Sequence, residues 1–311
     1  MRLFLLSLTL GLGCFYFGLT IMRHGLQSLA QRRIRQALTY TTSTPFRGLL
    51  TGTLVTALVH SSSAITVITI GLVNAELLSF MQALGIILGT NIGTCFTIQL
   101  IALNLDALSI PAIISGLILL FFKKNKKIRA TAYALLGFGF LFLGIIVMTK
   151  GASYLQYSPS FLGLLIATST HAVYGVFAGM ITTALVQSSS IVTGVVLILA
   201  TQGLIDLPAA TTITLGSNIG TCITGVLASL GGNPAARQIA VAHVLLNIIG
   251  VLIFLPLINP FVYLISFTSS NLPQQIANVH LIFNIISSLV VLPFIKHFAK
   301  LVYLFTPRIL S

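Results

Sequence analysis

Apolar stretches long enough to cross a bilayer recur along this whole chain, and that constrains its fold more than any single residue. They run without polar alternation, which is the pattern of helices rather than of a barrel. The expected fold class is therefore an all-α polytopic membrane protein. Charged residues are 6% of the 311, against about 25% in a soluble domain. In a soluble protein a net charge of +13 would point to nucleic acid. Here it reads as loop charge that sets topology, so the expected partner is the lipid bilayer and no nucleic acid. Cys14, Cys95 and Cys222 lie in apolar segments, with neither metal spacing nor a disulfide framework. Arg2 and the apolar stretch after it look like a signal peptide. No cleavage site follows and the segment has an internal counterpart, so it is expected to be retained.

That counterpart belongs to an internal duplication. Gly48–Cys95 superposes on Gly175–Cys222 at a shift of 127 without a gap, and 21 of 48 positions are identical. A weaker match at a shift of 126 pairs Gly18, Met22 and Gly25 with Gly144, Met148 and Gly151. The expected organisation is a first repeat at 1–122, a basic loop at 123–129, a second repeat at 130–258, and a C-terminal transmembrane helix with a short tail at 259–311. Helices are expected at 3–22, 107–122, 130–148, 238–258 and 276–295. Hairpins are expected at 48–73 and 175–200, broken at "HSSS" and "QSSS". The segments 80–105 and 207–230 are expected to break at "GTNIG" (Gly89–Gly93) and "GSNIG" (Gly216–Gly220).

Charge orients the halves. If each serine segment re-enters and turns back on its own side, fourteen of sixteen Lys and Arg share one face, Arg23 among them. Only Arg2 and Lys150 stand opposite. The basic face is then cytoplasmic, the C-terminus with it, and the repeats are inverted. The expected location is the plasma membrane, which in a bacterium is the inner membrane.

Three consecutive hydroxyls inside an apolar segment need a reason. At the tip of a re-entrant hairpin helical hydrogen bonding stops, and the freed backbone survives only inside protein or against a wet cavity. Neutral Ser, Thr and Gln oxygens there suit a monovalent hard cation such as sodium. Half-helix N-termini suit an anion. Helix packing would explain one serine triplet. It explains poorly two triplets at matched positions, each followed by a matched glycine motif.

The acids are Glu76, Asp106 and Asp206, all at segment ends, which argues against an acid-based proton relay. No Ser-His-Asp set and no embedded carboxylate accompany the serines, so the chain is not expected to be an enzyme. His243 with Asn247, and His280 with Asn284, each share one helix face at i, i+4, which fits interhelical bonding better than a cavity lining. No basic residue is visible at the serine motifs.

At these residues the sequence resembles the type II sodium/phosphate cotransporter family, whose members carry paired QSSS motifs, each followed by a GxNIGT-like break. The second copy is intact, Gln187-Ser188-Ser189-Ser190 and then Gly216 to Thr221. The first has Ser61-Ser62-Ser63 and then Gly89 to Thr94. The resemblance covers nearly the whole chain. It implies a secondary transporter moving inorganic phosphate with sodium, these being transported ions, with no cofactor; the alternatives are a sodium-coupled transporter of another small anion, or a phosphate efflux pathway with weak or no sodium coupling. It implies phosphate at Ser61, Ser62, Ser63, Ser188, Ser189 and Ser190, with Asn91 and Asn218 shaping the cavity. It implies sodium at Gln187, Ser188, Ser189, Thr66, Thr193, Thr94 and Thr221. His60 replaces the first motif's glutamine, and an imidazole nitrogen is a poor sodium ligand. His60 is therefore expected to modulate transport, by donating to phosphate or by sensing pH. Many bacterial relatives carry a regulatory domain after the transporter. This sequence ends at Ser311, so such a regulator is expected to be a separate protein. Likeness to other transporters with paired re-entrant hairpins suggests a homodimer.

Overall fold

A computed structural model describes residues 2–122, 125–157, 163, 168 and 171–306. Among the described residues the regular structure is helical, with no strand. The helices are α1 (Arg2–Tyr40), α2 (Pro45–Val59), α3 (Ser62–Asn74), α4 (Phe80–Ala102), α5 (Ser109–Phe121), α6 (Lys126–Ala152) and α7 (Ala172–Val186). They continue with α8 (Ser189–Thr201), α9 (Leu207–Thr221), α10 (Ile223–Ser229), α11 (Pro234–Phe254), α12 (Ile258–Ser266), α13 (Leu272–Val291) and α14 (Ile295–Phe305). Polar residues punctuate the apolar sequence as caps. Ser79 and Gln82 form a capping box on α4. Asp206 caps α9 and Asn233 caps α11, each just before a proline in the first turn.

Five stretches of the described residues are long and apolar enough to cross a membrane: Leu6–Tyr40, Phe80–Ala102, Lys126–Ala152, Pro234–Ser266 and Leu272–Val291. The serine-flanking helices α2, α3, α7 and α8 have only 13 to 15 residues. At 1.5 Å per residue they reach about 20–23 Å, short of the roughly 30 Å hydrocarbon core.

Three expectations are corrected. The first helix does not end near residue 22 but runs 39 residues to Tyr40, so Arg23, Arg32, Arg33 and Arg35 are helical rather than loop residues. The interruption expected at Gly89–Gly93 does not occur, and α4 is continuous. The glycines there serve packing instead of unwinding. A Cβ on Gly89 would meet the Leu49 carbonyl oxygen, and Thr53 N at 2.7 Å, so a glycine lets α4 lie directly against α2. In the second half the break follows the motif, at Cys222 between α9 and α10. Finally, the region 259–311 holds two more helices, α12 and α14, beside the expected one.

The buried apolar residues form two clusters. One contains Phe15, Leu19 and Met22 of α1, Ile98 and Ile101 of α4, Val251 and Phe254 of α11, and much of α8. The other contains Ala30, Ile34 and Leu38 of α1, Leu84 to Ile92 of α4, Ile239 to Leu246 of α11, and much of α3. Polar residues lie near the changeover on each of these helices: Arg23 on α1, Asn91 to Thr97 on α4, and His243 and Asn247 on α11. A polar belt therefore separates two apolar cores. The α2–α3 pair packs in one core, and buried residues of α7 and α8 lie in the other.

Candidate functional site

Both serine motifs lie in that belt, and backbone geometry puts them there. α2 ends at His60 (φ 55°, ψ 31°) and α7 ends at Gln187 (φ 57°, ψ 26°), both left-handed. That conformation costs a side-chain-bearing residue about 1–2 kcal/mol, and it recurs at matched positions. It frees the last carbonyls and breaks the helix, so that the next serine takes the N-cap position of a new one. Ser61 caps α3, its hydroxyl accepting from Ala64 N at 3.3 Å. Ser188 occupies the same place on α8, but its hydroxyl makes no bond to its own helix. Two helix N-termini, each carrying partial positive charge, thus open at the serines.

A cation from α1 joins them. Arg23 Nε donates to the His60 carbonyl oxygen at 2.6 Å. Its Nη2 donates to the Ser190 hydroxyl at 3.2 Å, and its Nη1 lies 3.5 Å from the Ser188 hydroxyl. One guanidinium therefore touches both motifs. The expectation of a site without basic residues is overturned, and Arg23 is not a cytoplasmic loop charge. The reason is the length of α1, whose middle crosses the belt. Two further residues join the cluster. His60 Nδ1 lies 3.1 Å from Thr97 Oγ1, and Thr224 Oγ1 donates to Ser63 Oγ at 3.3 Å. Thr97 and Thr224 are themselves equivalent at the shift of 127, in "GTCFT" and "GTCIT". The repeat held that signal, two residues past the block compared.

Ser61, Ser62 and Ser188 to Ser190 are buried together in the belt. Thr66 and Thr193 are buried, and their hydroxyls have no hydrogen-bond partner. The same is true of Thr56 and Thr183, which are also equivalent in the repeat. An orphaned buried hydroxyl costs about 1–3 kcal/mol, and here the unpartnered hydroxyls recur at two matched pairs of positions. Thr94 and Thr221 instead bond the carbonyls of Thr90 and Ser217 on their own helices. The Gln187 side chain is exposed and is not part of the buried cluster.

Asn91 and Asn218 face a different set of partners. Asn91 Oδ1 lies 3.1 Å from His243 Nε2, and Asn91 Nδ2 donates to Asn247 Oδ1 at 3.3 Å. Asn218 Oδ1 lies 3.1 Å from His280 Nε2 and accepts from Asn284 Nδ2 at 3.3 Å. The two His-x-x-x-Asn faces thus bond α11 to α4 and α13 to α9, as interhelical bonding would have it. Asn91→Ala is expected to lower stability by about 2–5 kcal/mol, because His243 and Asn247 both lose a buried partner. The melting temperature of purified protein checks this, and a value within 2 °C (roughly) of wild type would refute it.

The family model described as "Na+/Pi-cotransporter" matches residues 14–150 and 156–288, both halves of the duplication. The chain belongs to the Na+/Pi-cotransporter family. Among curated relatives of this Na+/Pi-cotransporter family member, Bacillus subtilis (strain 168) YqeW, whose name assigns no activity, is 35% identical over 257 residues, 83% of each chain. Salmonella typhimurium YjbB, named for inorganic phosphate export, is 28% identical over 270 residues, 82% of this chain and 47% of that one. The chain thus spans about half the length of that relative. The sodium-dependent phosphate transport protein 2A of Oryctolagus cuniculus is 41% identical over 88 residues, 27% of this chain and 14% of its own. No solved structure matches significantly.

Proposed function

We propose that this chain is a secondary active transporter moving inorganic phosphate together with sodium by alternating access. The observation that carries the reading is the pair of serine turns bridged by Arg23. Two helix N-termini and a guanidinium converge there, and among the described residues no carboxylate pairs with Arg23. Such a site is electropositive and attracts a small oxyanion. The orphaned hydroxyls of Thr56, Thr66, Thr183 and Thr193 supply neutral oxygens for sodium. Opposite charges in one dry cavity strengthen each other's binding.

The short helices support inverted re-entrant hairpins. Buried residues of α2 and α3 pack in one apolar core and those of α7 and α8 in the other, which fits serine tips that approach the belt from opposite sides. In this reading the two halves rock about that belt, the membrane is the plasma membrane, and the C-terminus is cytoplasmic. Net direction follows the gradients, and the relative named for phosphate export agrees with either.

Radiolabelled phosphate uptake into proteoliposomes tests the coupling. An inward sodium gradient is expected to drive at least about 5-fold faster uptake than an equal potassium gradient. Equal rates would leave phosphate movement without sodium coupling, and no uptake in either salt would sink the phosphate assignment.

A further inference from the structure

The two halves of the site are unequal in one respect. In the first half the carbonyl freed at the left-handed turn, that of His60, is taken by Arg23 Nε at 2.6 Å. In the second half the equivalent carbonyl is that of Gln187. Among the described residues no cationic side chain bonds it. The position equivalent to Arg23 on α6 is Thr149, at the shift of 126. Thr149 instead lines a cavity of about 580 Å³ with Asp106, Thr201 and Asn271. The first half thus contributes a cationic side chain that reaches both motifs, and the matched position of the second half contributes none.

The ligands of that charge are informative. Arg23 touches one backbone carbonyl and two serine hydroxyls, all neutral oxygens, and no acid. A buried arginine ordinarily pairs with a carboxylate. A set of carbonyl and hydroxyl oxygens is what a hard monovalent metal cation takes. The residue that departs from the QSSS pattern lies at the same place. His60 turns its ring to Thr97 and offers the cluster no side-chain oxygen.

We infer that the Arg23 guanidinium is a tethered cation standing between the two serine motifs where a sodium ion would otherwise bind, so that this transporter uses one sodium fewer than its duplicated site has room for. The inference rests on the sodium-coupled reading above and deepens it. Each transport cycle then carries one positive charge less across the membrane, because Arg23 stays with the protein.

The test is a count of bound sodium. Purified protein is equilibrated with radiolabelled sodium in the absence of any oxyanion, for wild type, Arg23→Gln, Arg23→Gln with His60→Gln, and Arg23→Lys. The double variant is expected to bind one sodium more per chain than wild type. Arg23→Lys keeps the tethered charge and is expected to bind no more than wild type. Equal counts in wild type and both glutamine variants would overturn the inference, as would a gain in Arg23→Lys. If the double variant fails to fold, Arg23→Gln and Arg23→Lys still oppose each other. No phosphate is present, so the count stands even if phosphate is not the cargo. The phosphate reading fails separately, on absence of uptake by wild type.

Discussion

Ser188→Ala combined with Ser190→Ala is expected to reduce phosphate uptake by at least about 100-fold while the protein stays folded. Each hydroxyl lost from a charged ligand removes about 1.5–3 kcal/mol, so two remove roughly 3–6 kcal/mol. At about 1.4 kcal/mol per decade that is two to four orders of magnitude in affinity. Folding is expected to survive because the Ser188 hydroxyl does not cap α8, and the partner that both serines lose is the long, adaptable Arg23. Equilibrium phosphate binding and uptake, read beside the melting temperature, check the result. Uptake within threefold of wild type in stable protein would remove these serines from the substrate path.

Gly137→Val is expected to leave little folded protein. α1 and α6 cross with backbone against backbone at this point. A Cβ on Gly137 would meet Met22 N, and also Met22 Cα and the Gly18 carbonyl oxygen, each at 2.5 Å. None of these atoms belongs to a side chain that can swing aside, so the helices must separate. Overpacking typically costs about 1–3 kcal/mol, and a collision with main chain lies at or above the top of that range. Met22 adjoins Arg23, so any displacement also pulls the guanidinium from the serines. Gly71→Ala is the matched control, since a Cβ there meets nothing within 4 Å. The yield of monodisperse protein in detergent checks both. Recovery of Gly137→Val at wild-type yield would show that α1 and α6 do not need this close approach.

Much of the site was legible because the chain states it twice. The breaks at His60 and Gln187 were expected from two serine triplets in matched apolar segments, and both occur at left-handed residues. The hydroxyls of Thr66 and Thr193, the cation ligands proposed here, stand unpartnered. The His-Asn faces were read as interhelical bonds, and their partners prove to be Asn91 and Asn218. What failed did so for identifiable reasons. Glycine pairs permit either unwinding or close packing, and only the neighbouring helix decides between them. At Gly89 that neighbour is α2, so α4 stays helical. The extent of α1 was misjudged because its charges follow an apolar run and look like a loop. "MRHG" against "MTKG" carried the clue, since an arginine beside two glycines spaced for helix contact belongs to a helix. Placing Arg23 at serines more than 160 residues away, however, required the tertiary fold.

The His-Asn bonds have a consequence for how the protein is made. The first repeat leaves the ribosome with Asn91 already committed to the middle of α4, yet its partners His243 and Asn247 lie on α11. Asn218 likewise waits for His280 and Asn284 on α13. During synthesis the first repeat therefore carries the Asn91 amide, and the second the Asn218 side-chain oxygen, without these partners until the chain is nearly finished; the Asn218 amide nitrogen already has the Thr214 carbonyl of its own helix. A nascent first half released early would expose the Asn91 amide to lipid. Insertion should then proceed with α4 and α9 sheltered at the translocation machinery, or by water, until α11 and α13 arrive and dock last.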